Sequence, residues 1–351
     1  MKNDIHDQVS SYYSETLTST NDLKTAACCT IEEYPAYIKS ILKDISDEVI
    51  TKYYGCGLTI PFDVKGLSVL DLGSGSGRDC FILSKLVEEK GSVIGVDMTD
   101  QQLQVANSNK IYHASKFGFS NVSFLKGHIE HLTDLDISEQ SLDLIVSNCV
   151  INLATDKKAV LDGVFHLLKD GGEFYFSDIY ADRRIPESLK DDPILYGECL
   201  SGALYWNDFL NLAKAAGFAD PRVVSSNPVE IDDQEILAKI GNIGFHSVTY
   251  RLIKLEGLES DCEDYGQAIR YNGTVEESRH QFKLDDHHLF EAGRIYSVCG
   301  NTYKMLKETR FGKHFDFWGD FSTHYGIFEG CVGSAPFSTE NQNSPEEASC
   351  C

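Results

Sequence analysis

Apolar residues in this 351-residue chain follow two periodicities that alternate from about residue 66 to residue 180. Short β-branched runs that stop at glycines, beginning with Gly66-Leu67-Ser68-Val69-Leu70-Asp71-Leu72, read as buried parallel strands. Residues 78–90 then carry helical spacing. The alternation continues with a strand at 92–97, a helix at 100–117, strands at 121–125 and 141–147, a helix at 156–169 and a strand at 172–178. Strands and helices at βαβ spacing predict right-handed crossovers. The expected fold is therefore α/β, a doubly wound and mostly parallel sheet whose ligands sit beyond the carboxyl ends of its strands.

The flanks read differently. Ile38, Ile41, Leu42, Ile45 and Val49 recur at helical spacing, so residues 1–65 are expected to form a helical N-terminal segment. After residue 178 comes a polar connection, a glycine-rich piece at 197–202 and a helix at 206–216. That connection starts at a strand's carboxyl end, where it is placed to cover a ligand. From residue 229 the sequence is β-flavoured, with Tyr271-Asn272-Gly273-Thr274 as an expected hairpin turn. The expected organisation is a helical segment (1–65), a ligand-binding domain (66–228) with a covering segment at 179–205, a smaller α+β C-terminal domain (229–334) and a mobile tail (335–351) rich in Ser, Asn, Glu and Pro.

Composition narrows the partners. The formal net charge of −23 argues against nucleic acid and anionic membranes, which need concentrated Lys and Arg. There is no run of about 18 apolar residues, and Met1-Lys2-Asn3-Asp4 opens no signal peptide, so a cytoplasmic monomer is expected. Eleven cysteines are many for such a protein, and an odd count speaks against a static disulfide framework. None forms a Cys-x-x-Cys pair, so a zinc ribbon is not expected.

The candidate chemistry starts at Asp71-Leu72-Gly73-Ser74-Gly75-Ser76-Gly77, between the first strand and first helix. Alternating glycines let the backbone approach a ligand closely, but the spacing departs from the Gly-x-Gly-x-x-Gly of dinucleotide sites. The run resembles the first motif of class I S-adenosylmethionine-dependent methyltransferases. That resemblance implies that Asp71, Gly73, Ser74, Gly75 and Gly77 surround the methionine portion of S-adenosylmethionine. Asp97, at the next strand end, would accept two ribose hydroxyls. Met98 would flank the adenine, with Ile129 and Glu130 of Gly127-His128-Ile129-Glu130 against the same ring.

Thiols lie near the same strand ends. Cys149 follows the strand 141–147 in Ser147-Asn148-Cys149-Val150-Ile151-Asn152, Cys199 lies in the covering connection, and Cys28, Cys29 and Cys56 precede the first strand. With Tyr53-Tyr54-Gly55-Cys56-Gly57, Tyr175-Phe176-Ser177-Asp178 and Gly202-Ala203-Leu204-Tyr205-Trp206, these segments resemble the arsenite methyltransferases from about residue 8 to 330. The resemblance implies Cys28, Cys56, Cys149 and Cys199 as working thiols, with Cys149 and Cys199 the core arsenic ligands. The doublet leaves the first position open between Cys28 and Cys29. Tyr54 and Asn148 adjoin these thiols and are placed to line the cofactor and methyl path.

Trivalent arsenic is soft and prefers thiolates. Its lone pair can attack a sulfonium methyl without losing a proton, so no general base is required. The resemblance implies that the substrate is arsenite or its glutathione conjugate, and that enzyme thiols oxidised in the reaction are restored by thioredoxin or glutathione. Two other readings stay open: a C- or O-methyltransferase of a small organic molecule, and a non-catalytic thiol-rich metalloid-binding protein.

Overall fold

The structure is a computed structural model that describes residues 34–53, 58–190, 192, 195, 196 and 199–330. The expectations for Cys28, Cys29, Tyr54, Cys56 and the tail at 335–351 lie outside the described residues.

The main sheet is built from β1 (Ser68–Leu72), β2 (Ser92–Asp97), β3 (Val122–Lys126), β4 (Leu142–Asn148), β5 (Leu168–Ala181), β6 (Leu204–Tyr205), β7 (Arg222–Pro228) and β8 (Phe245–Ile253). Their order is β3-β2-β1-β4-β5-β8-β7, with β6 pairing alongside β5. The pairings from β3 through β5 are parallel, and β8 runs antiparallel to both β5 and β7. This is the α/β, mostly parallel sheet expected.

Strand periodicity divides the core between the two faces. Leu70, Leu72, Phe174 and Phe176 join Leu161, Val164 and Phe209 in one apolar cluster. Val69 and Tyr175, one residue out of phase, join Phe81, Ile82 and Val87 of the helix Arg78–Val87 in the other, which also takes Ile38 and Val49. Strand order reverses around β1, and doubly wound sheets open their ligand crevice at such a switch point.

Four elements differ from expectation. The helix expected at 100–117 is two helices, Asp100–Ser108 and Lys110–Phe117. Asn109 divides them by turning its side-chain amide to the Val105 carbonyl and the Glu48 carboxylate, each at 2.9 Å. β5 is longer than the strand expected at 172–178 because β8 pairs with it from Glu173 to Ala181. β8 itself, inside the segment expected to form the C-terminal domain, completes the main sheet. The expected hairpin at 271–274 is absent. After Gly273 the chain enters a 3₁₀ turn at Glu276–Ser278, fixed by the Tyr271 hydroxyl, which donates to Ser278 O (2.8 Å) and accepts from Val275 N (3.1 Å).

The strand Gln267–Tyr271 instead pairs antiparallel with Ile295–Val298 and Phe315–Trp318. Tyr271, Phe282, Phe290, Phe311 and Phe315 fill the small core behind it. Glu173 fastens this unit to the main sheet. Only 1% exposed, it accepts from Arg251 Nε at 2.6 Å and pairs with Arg310. Burial alone would push its carboxyl up, but the two guanidiniums outweigh that and hold it below the ordinary carboxylate range.

Candidate active site

The loop after β1 turns by placing glycines in the left-handed region. Gly73 has φ +70°, and a Cβ there would lie 2.5 Å from the Val150 side chain; Gly75 has φ +53° and no atom within 4 Å of where its Cβ would be. One glycine thus admits its neighbour's side chain, and the other leaves the loop open towards the cleft. Asp97, ending β2, fixes the loop from across the crevice. Its carboxylate accepts the Gly75 and Thr99 N–H groups, each at 2.8 Å. Burial raises the Asp97 pKa, and these N–H bonds oppose the rise.

The cleft beyond the strand ends encloses about 970 Å³ including its open mouth. Asp71, Gly73, Ser74, Gly75, Asp97, Met98, Ile129, Glu130, Asn148 and Cys149 all line it, whereas Gly77 and Cys199 do not. Gly77 stands one residue behind as the N-cap of the helix Arg78–Val87. Two lining atoms, Ser74 Oγ and Gln102 Oε1, are buried without a hydrogen-bond partner. A buried polar atom without a partner costs about 1–3 kcal/mol. A ligand bringing hydroxyl, amine and adenine donors, as S-adenosylmethionine does, suits them.

Cys149 and Cys199 meet although 50 residues separate them. The Cys199 thiol points at the backbone oxygen of Cys149, 3.5 Å away. Both have left-handed backbone, with φ +57° at Cys149 and φ +62° at Cys199. Such conformations cost an ordinary side chain about 1–3 kcal/mol and need surrounding structure to hold them. Here Cys149 N donates to Ser177 O at 2.9 Å and Cys199 N to Tyr196 O at 3.0 Å. Cys149 is 4% exposed at the cleft rim and engaged in a disulfide, while Cys199 is fully buried beside it and is a thiol.

Several residues that support the site, among them Asp178, Lys157, Tyr53, Asp79 and Arg78, were not singled out from the sequence, whereas Asn148 was. Asp178, in β5, braces the turn after Cys149: its oxygens accept Asn152 N at 2.9 Å and Ile179 N at 2.8 Å. Lys157 Nζ donates to Asn152 O at 3.1 Å and Ala154 O at 2.9 Å. Burial lowers its pKa against the pull of Asp178 and Cys199. Asn148 Nδ2 donates to the Tyr53 hydroxyl at 2.6 Å and to Asp79 Oδ2 at 3.3 Å. Asp79 pairs with Arg78, whose guanidinium lies 3.2 Å from the centre of the Tyr53 ring. Cys80 is buried and donates to Asp71 at 3.2 Å, so it serves the loop rather than the cleft.

Burial pushes the Asp178 carboxyl up to about 7 from an ordinary 3.8, against the opposing N–H bonds and Lys157. The folded chain therefore holds this proton more tightly than the unfolded chain. The resulting stability is fully present below pH 3.8 and is lost as pH rises through about 7. Asp178→Asn removes the titration, so its thermal stability should fall less than wild type's between pH 4 and 8. Parallel pH profiles would contradict this assignment.

Comparison with known proteins agrees with the geometry. Residues 63–217 match the model of a methyltransferase domain, and residues 265–351 match that of the arsenite methyltransferase C-terminal domain. The chain is 54% identical to the arsenite methyltransferase of Aquipseudomonas alcaligenes over 336 residues, 96% of this chain and 97% of that one. It is 42% identical to the human arsenite methyltransferase over 317 residues, 89% of this chain and 83% of that one. The crystal structure of an arsenic(III) S-adenosylmethionine methyltransferase from Chlamydomonas reinhardtii superimposes with a TM-score of 0.82 at 46% identity, covering 85% of this chain and all of that one. On sequence, fold and cleft alike, the chain belongs to the arsenite methyltransferase family, within the class I S-adenosylmethionine-dependent methyltransferases.

Proposed function

We propose that the chain methylates trivalent arsenic held by three cysteine thiolates, in arsenic detoxification, with Cys149 and Cys199 as the core ligands and Cys28 and Cys56 as the further working thiols, one of which supplies the third sulfur. The observation that carries this reading is the approach of the Cys199 thiol to Cys149 at the rim of the cleft, with both residues in left-handed backbone. Two soft donors held in strained positions suit a soft metalloid better than they suit packing.

S-adenosylmethionine supplies an electrophilic sulfonium methyl group. Asp97 is set to take its ribose hydroxyls, Met98 and Ile129 to flank its adenine, and Ser74, Gly75 and Asn148 to hold its methionine end; Asp71 and Glu130 complete the polar lining. The thiolates would hold arsenic at the rim of the cleft and leave its lone pair available to the methyl group. Acceptance of the methyl group by that lone pair would require no proton to be removed, so the site needs no general base. Positioning of this kind can lower a barrier by about 7–11 kcal/mol.

Transfer takes arsenic from the trivalent to the pentavalent level. Two electrons from a pair of enzyme thiols return it and leave a disulfide, the oxidised state in which Cys149 stands. Thioredoxin or glutathione then reopens that bond by thiol exchange. Among the described residues no helix is long and apolar enough to cross a membrane.

Incubating the reduced chain with arsenite, S-adenosylmethionine and thioredoxin or glutathione, then separating the arsenic species, tests the reading. Methylated arsenic that needs all three components supports it, and unchanged arsenite overturns it. The cofactor role has its own test. Asp97→Ala removes two charge-assisted hydrogen bonds, each worth about 1.5–3 kcal/mol. Affinity for S-adenosylmethionine, measured by isothermal titration, should fall by at least about tenfold; an affinity within twofold of wild type would remove Asp97 from the site.

A further inference from the structure

Away from the cleft, a second pair of thiols meets in the C-terminal unit. Cys299 is the N-cap of the helix Gly300–Lys307, with its Sγ 3.3 Å from Thr302 Oγ1. The segment 259–265 lies across the start of this helix and is fixed at both ends. Asn301 exchanges two 2.8 Å hydrogen bonds with the Glu259 backbone. The Tyr265 ring packs so close to Gly300 that a Cβ there would stand 3.1 Å from it. Between these two fixtures, Cys262 comes within hydrogen-bonding reach of Cys299. Its own carbonyl accepts Phe328 N at 2.7 Å.

The environment favours a thiolate. The bond from Cys262 leads, burial opposes it, and Thr302 and the Arg222 guanidinium add to it, holding the Cys299 pKa at about 5. Arg222 is kept in place by Asp220 at 2.6 Å and Asp285 at 3.0 Å. Cys262 is partly exposed and Cys299 is buried, so an incoming ligand meets Cys262 first.

We propose that Cys262 and Cys299 form a second thiol site that chelates trivalent arsenicals carrying two exchangeable ligands, the singly substituted arsenous acids. The choice of arsenic as cargo rests on the proposed function, whereas the chelating geometry does not. Valence sets the preference. A singly substituted arsenous acid has two hydroxyls, so two thiols saturate it: two arsenic–oxygen bonds break, two arsenic–sulfur bonds form, and two waters leave. No electrons change hands. Arsenite would keep a third exchangeable hydroxyl, and a disubstituted acid can bond only one of the two sulfurs.

The test uses the full chain with Cys149→Ser and Cys199→Ser, fully reduced, without S-adenosylmethionine and with excess glutathione to strip arsenic from single thiols. Phenylarsenous acid is added as the probe, the protein is alkylated with iodoacetamide, and each cysteine is read by peptide mass spectrometry. Cys262 should be alkylated at least about tenfold more slowly with the probe, since chelation at two points outcompetes single thiols. Protection should vanish in Cys299→Ser, and dimethylarsinous acid should protect neither thiol. Unchanged alkylation of Cys262, or equal protection in Cys299→Ser, would overturn the proposal. The substitution Thr302→Val, which keeps both thiols, should retain protection and guards against misfolding of the serine variant. Because nothing turns over in this assay, its result is independent of whether the wild-type chain methylates arsenite.

Discussion

Cys199→Ser is expected to lower arsenite methylation by more than about 100-fold, a loss of at least about 2.7 kcal/mol in transition-state stabilisation. The substitution exchanges one buried sulfur for oxygen, and oxygen is a hard donor with little affinity for trivalent arsenic. Cys199 does not line the cleft, so binding of S-adenosylmethionine should stay within twofold of wild type. A loss of turnover with cofactor affinity intact is the signature of a ligand to the acceptor. Cys149→Ser should lose turnover to the same extent, and the double variant should be little worse than either single one, because residues that act as a unit are not additive. Arsenic speciation after timed incubation, beside isothermal titration, checks all three variants. Near-wild-type rates in either single variant would remove the thiol pair from the mechanism.

Glu173→Gln is expected to cost about 3–5 kcal/mol in stability, because it leaves the buried guanidinium of Arg251 and the partly buried one of Arg310 without their counter-charge. Arg251 is only 2% exposed and cannot turn to solvent. Glu173 lies five residues before Asp178 along β5, about 16 Å at strand rise. At a temperature where the variant stays folded, methylation per folded molecule should therefore match wild type. Urea unfolding followed by circular dichroism reads the loss; a midpoint equal to wild type's would show that the ion cluster does not fasten the C-terminal unit to the sheet.

The fold is readable from β1 to β5 because that stretch alternates a two-residue and a 3.6-residue period with glycine punctuation between them. It is not readable at β8, whose place beside β5 depends on a pairing with Glu173–Ala181 across a long connection. The hairpin expected at 271–274 failed for a related reason. Asn-Gly permits the tight turn, but Tyr271 draws the chain into a different one, and the partners of its strand lie at 295–298 and 315–318.

The site divides in the same way. The glycine loop, Asp97 and Cys149 announce themselves by residue type at strand ends, Cys199 by its place in the covering connection, and family resemblance pairs the two cysteines. The left-handed backbone of the two cysteines carries no sequence signal, since cysteine has no preference for that region. Asp178 stands in the quoted Ser177-Asp178 run, but an acid at the end of an apolar strand also reads as a solvated one, and only its bonds to Asn152 and Ile179 reveal a brace. Cys262 and Cys299, apart in sequence and outside any spaced motif, meet only once the C-terminal strands have paired.

X-ray absorption at the arsenic edge, on the reduced chain loaded with one equivalent of arsenite, tests most directly whether sulfur holds the metalloid. The wild-type chain should show a shell of three sulfurs and no oxygen, and Cys199→Ser should lose one sulfur from it. An oxygen shell in the wild-type chain, or the same sulfur count in the variant, would contradict the account.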